Sequence, residues 1–298
     1  MILGPTGVGK SITAIKLSKK LKGEIINCDS MQVYKGFNIG TDKIPLEKRE
    51  NIPHHLLDIV HPNTQFTAAD FAKHALKAID LILKKNKLPI IVGGTGLYLK
   101  ALLEGLFPGP GRDSSLRQKL EKRAEEKGLE SLSQKLAEVD PVYSQKIGKN
   151  DKMRIIRALE VFYLTQRPFS EHFKNTKSCV KDFNAIKIGL KLNRKELYRR
   201  IEERVDKMFK SGIINEVEEL LKKGADEHSP PFRALGYKYV LKFLKKEIPA
   251  EESVALTKRD TRHYAKRQLT WFRKMEGIQW FSPFDFSSLA AYLEKNLR

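Results

Sequence analysis

The sequence predicts an α/β protein, with a P-loop NTPase-like parallel sheet, helices on both faces, and an inserted all-helical domain. Three observations carry this. An octapeptide of the form G-x-x-x-x-G-K-[ST], Gly4-Pro5-Thr6-Gly7-Val8-Gly9-Lys10-Ser11, lies between a short apolar run and a helix-like stretch. Through the first third, continuous apolar runs alternate with helical periodicity, as strands buried on both faces do. After Pro108-Gly109-Pro110-Gly111 the strand signal vanishes, and it returns at Ala185.

Met1-Ile2-Leu3 is the first strand. It falls short of the usual ~5–6 residues, so either this strand is very short or the natural start lies upstream. In the loop that follows, Gly4, Gly7 and Gly9 let the backbone turn tightly around phosphate oxygens. Lys10 supplies a point charge, and the Ser11 hydroxyl can ligate Mg²⁺. Ile12, Ile15 and Leu17 mark a helix whose N-terminus faces the anion. A second strand runs over 23–29 and ends in Asp29, followed by a loop over about 30–65 and a helix over 67–85. The run Leu88-Pro89-Ile90-Ile91-Val92 then ends at Gly93-Gly94-Thr95-Gly96, where the glycines let something large approach the backbone. Ligands in such sheets bind at the carboxyl ends of the strands. The P-loop, Asp29 and the Gly93–Gly96 turn therefore converge on one pocket.

Residues 113–180 read as charged amphipathic helix, over 116–127, 129–139 and 153–164. A strand over 185–192 resumes the core, followed by helices over 194–210, 213–223 and 252–274. The division is a catalytic core of 1–112 and 184–298, with a helical insertion at 113–183.

Composition narrows the function. The chain of 298 residues carries 56 Lys and Arg against 36 Asp and Glu, a net charge of +20. A polyanionic partner fits that excess, against a merely solvated lysine-rich surface. Cys28 and Cys179 are the only cysteines and stand outside any metal-ligand spacing, which argues against a disulfide framework or zinc site and for a reducing, cytoplasmic setting. Cys28 lies in an apolar run and reads as a packed residue. No apolar run approaches the ~20 residues that cross a bilayer, and the start does not resemble a signal peptide.

Asp29-Ser30-Met31-Gln32-Val33-Tyr34 follows the second strand. A carboxylate there can hold Mg²⁺ through water or take a proton from a nucleophile; the plainer reading is an Asx turn. An ordinary P-loop NTPase also needs an acid ending an apolar strand. The strand at 88–92 ends without one, and Leu56-Leu57-Asp58 is the nearest substitute, which weighs against ATP hydrolysis. His54-His55 reads as turn or core histidines, because neighbours on a strand point to opposite faces. On the 258–274 helix, Arg259, Arg262, Lys266 and Arg273 share an arc of about 60°. With Tyr264 and Trp271 nearby, that stripe suits phosphate tracking and base stacking, or else a solvated face. Arg154 and Arg157 likewise share a face of a basic helix.

Taken in order, the motifs are specific. They are Gly-Pro-Thr-x-x-Gly-Lys-Ser at 4–11, Asp-Ser-Met-Gln-Val-Tyr at 29–34, Gly-Thr at 40–41, His-His-Leu-x-Asp at 54–58 and Gly-Gly-Thr-Gly-Leu-Tyr at 93–98. Arg-Ala-Leu-Glu-Val at 157–161, Gly-Tyr-Lys at 236–238 and Ala-Lys-Arg-Gln-x-Thr-Trp-Phe-Arg at 265–273 complete the series. Over essentially its whole length the chain resembles the bacterial-type tRNA dimethylallyltransferases. The resemblance implies transfer of a dimethylallyl group from dimethylallyl diphosphate to the exocyclic N6 amine of the adenine 3′ of the anticodon in tRNA. It makes the P-loop a site for a diphosphate leaving group, bound by Thr6, Gly7, Val8, Gly9, Lys10 and Ser11, with Mg²⁺ near Ser11. Asp29 would accept the amine proton. Asp29, Ser30, Met31, Gln32 and Thr95 would line the passage where a flipped-out adenine meets the donor. The tRNA-contacting segments implied are Met153, Arg154, Ile155, Ile156 and Arg157; Arg233, Ala234, Leu235, Gly236, Tyr237 and Lys238; and Lys266, Arg267, Gln268, Leu269, Thr270, Trp271, Phe272 and Arg273, with Arg117 alongside. A monomer is expected, since tRNA takes up the basic surface. The rivals are an adenylate isopentenyltransferase, which would not need the basic insertion, and a P-loop small-molecule kinase, which would need the missing acid.

Overall fold

The computed structural model describes residues 1–107, 109–173, 176, 178–180 and 183–297. The chain divides into two compact units, one of Met1–Leu103 with Val180–Arg298 and one of Glu104–Cys179. The division falls at 103/104 and 179/180 rather than at 112/113 and 183/184. Phe107 packs edge-on against Phe169 at 5.2 Å inside the second unit, while Val180 belongs to the core of the first.

The first unit is built on six parallel strands: β1 (Ile2–Leu3), β2 (Gly23–Cys28), β3 (His54–His55), β4 (Leu88–Gly93), β5 (Lys187–Leu190) and β6 (Ile278–Phe281). Their order is β3-β2-β4-β1-β5-β6. β1 has two residues, yet it is central: Ile2 and Leu3 pair with Val92 and Gly93 on one side and Ile188 and Gly189 on the other. Two paired neighbours supply the hydrogen bonds that a strand this short could not secure alone. β6 lies outside the regular apolar runs, since Ile278-Gln279-Trp280-Phe281 sits at the sheet edge and is only partly buried.

One face of the sheet is covered by α2 (Ala68–Lys84) and α3 (Gly96–Leu103), which bury Phe71, Ile79, Ile82, Leu99 and Leu102. On the other face, α1 (Lys10–Leu21) packs with Leu197 and Ile201 of a later helix and with Leu289 and Leu293 near the C-terminus. α2 begins at a capping box in which Thr67 and Asp70 exchange hydrogen bonds, so its start is set locally.

The second unit is helical. α4 (Ser114–Val139) breaks at Gly128, where φ is 76°; α5 (Pro141–Ser144), α6 (Lys152–Thr165) and α7 (Phe169–His172) follow. Leu120, Leu132, Leu136, Ile155, Ile156 and Leu159 form its core. The first unit resumes with α8 (Arg194–Lys210), α9 (Ile213–Lys222), α10 (Leu235–Leu244), α11 (Ala250–Arg273) and α12 (Phe286–Asn296). Among the described residues no helix is long and apolar enough to cross a membrane.

At the amino end of β2 lies a buried carboxylate. Glu24 is 1% exposed, with His55 Nε2 at 2.7 Å and the ammonium groups of Lys87 and Lys85 at 2.8 and 3.3 Å. Burial alone would raise its pKa, but hydrogen bonds from Lys87, His55 and Lys85 outweigh it and hold it at about 2. The folded value is depressed, so the stabilisation is present above the ordinary 4.5 and is lost as pH falls toward about 2. Glu24→Gln should cost about 1–3 kcal/mol at neutral pH. It should also flatten the acid limb of urea unfolding measured across that window; an acid limb as steep as that of the wild type would refute the role of this carboxylate.

Candidate active site

β1, β2 and β4 end side by side at the carboxyl edge of the sheet, and each end carries part of the site. From β1 the chain enters the P-loop, where Gly4, Gly7 and Gly9 have φ of 147°, 80° and 104°, values unfavourable for any side chain. Gly4, Pro5 and Val8 are buried, Thr6, Gly7, Gly9 and Lys10 are partly buried, and Ser11 is exposed on the first turn of α1. Gly9 caps α1 without a side-chain hydrogen bond, so the amides of that first turn point at the loop mouth with the positive end of the helix dipole. Lys10 Nζ donates to the carbonyls of Gly4 and Pro5 at 3.0 and 2.7 Å. Burial lowers its pKa from 10.5 to about 8, against the opposing pull of Asp29.

Arg204 of α8, a residue outside every motif, is close enough to add to that depression. One of its guanidinium nitrogens reaches Asp42 at 3.2 Å, while its buried Nε has no hydrogen-bond partner among the described residues. An unsatisfied buried cation donor is costly. Beside a phosphate loop, it is a ready second donor to an anion. From sequence, only the helical periodicity of 194–210 spoke for this residue, and that pattern does not say which face meets the P-loop.

Asp29 follows β2 directly. Its Oδ1 accepts from the amides of Met31 and Gln32 at 2.9 and 3.4 Å, the geometry of an Asx turn. The turn and the chemical role are compatible, because it orients the carboxylate and uses one oxygen only. Thr95, after β4, accepts from the Ser30 amide at 3.1 Å, which ties the two strand ends together. The Tyr264 hydroxyl lies beside Thr95, and burial raises its pKa. Gln32 turns away and donates to the Thr41 carbonyl at 2.9 Å. The 30–65 segment is thus well organised: Tyr237 donates to Glu216 at 2.5 Å and accepts from the Gly40 amide at 3.0 Å, under an aromatic cluster with Phe37 and Phe232. Asp58, the nearest substitute for the missing acid, is already ion-paired through Oδ1: Lys43 holds it at 2.6 Å while also donating to the Tyr34 carbonyl.

The glycine turn after β4 receives α11. A Cβ on Gly94 would stand 2.1 Å from Gln268 Nε2, and one on Gly96 would stand 2.4 Å from Trp271 Nε1. The large group that approaches this backbone is therefore the protein's own helix.

The segments expected to contact RNA split by helical phase. Met153 is 69% exposed and Arg154 is exposed, while Ile155 and Ile156 are buried in the helical core. Arg157 and Arg117 both clamp Glu160, which is 0% exposed, with Arg117 bidentate at 2.9 Å and Arg157 at 2.6 Å. Arg157 also donates to the Pro110 carbonyl at 2.8 Å. Each arginine thus commits part of its donor set to Glu160 before any phosphate arrives. In the next segment Arg233 is exposed, Ala234 and Leu235 are partly buried, and Gly236 and Tyr237 are buried. Lys238 is bound to Asp260 at 2.9 Å.

On α11, Gln268 and Phe272 point inward and Leu269 is partly buried, whereas Lys266, Arg267, Thr270, Trp271 and Arg273 are exposed. The basic stripe is not uniform. Arg259 pairs with Asp260 at 3.0 Å and Arg262 with Glu202 at 2.6 Å. Lys266, Arg267 and Arg273 have no carboxylate partner among the described residues. As for a metal, no cluster of three or more His, Cys, Asp or Glu suited to one occurs among the described residues. The exposed Ser11 hydroxyl does fit a Mg²⁺ that keeps its waters and takes further ligands from phosphate oxygens.

Residues 32–275 match the family described as IPP transferase. The tRNA dimethylallyltransferase 2 of Geotalea uraniireducens is 45% identical over 98% of this chain and 95% of its own length. The tRNA dimethylallyltransferase of Carboxydothermus hydrogenoformans is 48% identical over 94% of this chain and 90% of its own. Among solved structures, the full-length tRNA isopentenylpyrophosphate transferase of Bacillus halodurans has a TM-score of 0.73 at 38% identity, covering 99% of this chain and 95% of that one. A eukaryotic dimethylallyltransferase acting on tRNA has a TM-score of 0.81 at 32% identity, covering 99% of this chain and 77% of that one. With a family match and relatives of this identity over nearly its full length, the chain belongs to the IPP transferase family.

Proposed function

We propose that this chain is a tRNA dimethylallyltransferase. It transfers the dimethylallyl group of dimethylallyl diphosphate to the N6 amine of the adenine 3′ of the anticodon. The observation that carries this reading is the convergence of an anion loop with Asp29 and Thr95 at adjacent strand ends, where Asp58 is already bound to Lys43. That arrangement suits a diphosphate leaving group and a nucleophile that must lose a proton. It does not suit ATP hydrolysis. The names of the relatives favour tRNA over a free nucleotide as acceptor.

In the reaction, the amine nitrogen forms a bond to C1 of the dimethylallyl group as the C1–O bond breaks, and the electron pair leaves with the diphosphate. Lys10, Arg204 and the first amides of α1 meet the charge that gathers on that leaving group. Mg²⁺ at Ser11, when bound, would neutralise part of the same charge. Asp29 takes the proton that the amine gives up and returns it to solvent. Adenine must leave its stack to reach Asp29 and Thr95, because its amine is otherwise out of reach. The exposed Lys266, Arg267 and Arg273 hold the RNA backbone. The protein works as a monomer on cytoplasmic tRNA.

Asp29→Asn should lower turnover by about 10²–10⁴ while leaving tRNA binding within a fewfold. Wild-type turnover with unmodified tRNA and dimethylallyl diphosphate would rule out Asp29 as the base.

Lys10 gives a pH signature. It carries its charge below about 8 and loses it as pH rises through that value. The donor KM should therefore be flat at lower pH and climb above about 8, and Lys10→Arg should remove the break. Persistence of the break in Lys10→Arg would assign it to another group.

The split stripe predicts unequal salt effects. Replacing Lys266, Arg267 and Arg273 by Ala should reduce the log–log salt slope of tRNA binding by about 0.7–0.9 per lost phosphate contact. Replacing the ion-paired Arg259 and Arg262 should change it less. Equal slopes for the two variants would show that pairing with Asp260 and Glu202 does not withhold those arginines from RNA.

A further inference from the structure

The exposed face of α11 is the one proposed to contact RNA, yet one of its buried polar side chains, Gln268, serves the opposite side of the site. Gln268 is 5% exposed. Its Oε1 accepts from the Thr6 amide at 2.8 Å, and its Nε2 donates to the Gly94 carbonyl at 2.9 Å. One planar amide thus joins the turn after β1 to the turn after β4. Few side chains could replace it. A carboxylate only accepts, lysine and arginine only donate, and an aliphatic chain does neither. Gly94 leaves the space, since a Cβ there would stand 2.1 Å from Nε2. Thr6 immediately precedes Gly7, Val8, Gly9 and Lys10, and its own amide is committed to Gln268 and is not available to a phosphate. The amides that remain for an anion begin one residue later, and their direction depends on where Thr6 is held.

We propose that Gln268 is a positioning residue for the diphosphate: by fixing the Thr6 amide against the Gly94 carbonyl, it holds the P-loop in its anion-binding geometry. The proposal rests on the reading of the P-loop as the donor's diphosphate site. It separates Gln268 from its neighbours Lys266, Arg267 and Arg273, which face solvent on the same helix.

Four measurements on Gln268→Met, Gly94→Ala and Lys10→Ala test it: donor KM at saturating tRNA, kcat, the Kd for tRNA, and thermal unfolding. Gln268→Met keeps the length of the side chain and removes both hydrogen bonds. Gly94→Ala leaves Gln268 in place in the sequence and pushes its amide aside from the β4 turn, so it carries the test if Gln268→Met does not fold. The expected result for both is a donor KM raised about tenfold or more, with the tRNA Kd within about twofold. Lys10→Ala should also raise the donor KM. If Lys10→Ala raises it while Gln268→Met and Gly94→Ala leave it within about twofold, the positioning role is overturned and the P-loop reading stands. A Gln268→Met variant that binds tRNA poorly and spares the donor would also overturn it, in favour of RNA contact. An unchanged donor KM in Lys10→Ala would overturn the P-loop reading, and this proposal with it.

Discussion

The docking of α11 on two glycine-rich turns is the constraint on which this site depends. Gln268 crosses 262 residues of sequence to meet the Thr6 amide, and it meets the Gly94 carbonyl with the other end of the same group. Three residues further on, Trp271 fills the space over Gly96. A buried amide left without these partners would cost about 1–3 kcal/mol for each orphaned group. The contact is therefore strongly directional, and it sets where the P-loop stands relative to Thr95 and Asp29. Because Lys266, Arg267 and Arg273 ride on the same helix, the basic surface and the anion loop share one rigid support.

Charge is distributed unevenly, and its pairing explains why. The net charge of +20 suggests a broadly cationic surface. Several of the individual cations are locally committed: three basic side chains gather on Glu24, two arginines close on Glu160, and Lys238 and Arg259 meet on Asp260. Burial alone would raise the pKa of Asp260, yet hydrogen bonds from Tyr239, Lys238 and Arg259 hold it below the usual carboxylate range. Cations in such groups cannot turn to a phosphate without abandoning a buried or half-buried anion. The charges that stay uncommitted on α11, together with Lys10 and Arg204, are the ones the proposed reaction would use on anionic substrates.

The fold and the loops that carry the candidate site were legible in the sequence for definite reasons. The P-loop spells its own geometry in Gly4, Gly7 and Gly9; β2 ends at Cys28, directly before Asp29, and β4 ends at Gly93. The helical phase of 194–210 reappears as α8 with the same bounds. The elements that escaped include the four-residue edge strand β6 and the short helices α3, α5, α7, α10 and α12. Elements this short gain little stability from their own hydrogen bonds and form because the neighbouring surface receives them. The family resemblance carried whole segments toward RNA contact, whereas helical phase turns Ile155, Ile156, Tyr237, Gln268 and Phe272 inward.

Sequence by itself determined the chemistry available at each strand end, because the backbone freedom of glycine, the charge of Lys10 and the carboxylate of Asp29 are local properties. It also determined that the chain would form a parallel sheet covered on both faces. Only the tertiary structure decided which groups are free to use that chemistry. Arg117 and Arg157 are taken by Glu160, Asp58 is taken by Lys43, and Arg204 is brought to Lys10 from a distant helix. Pairing and burial depend on neighbours remote in sequence, and a side chain's partners, more than its type, set what it can bind.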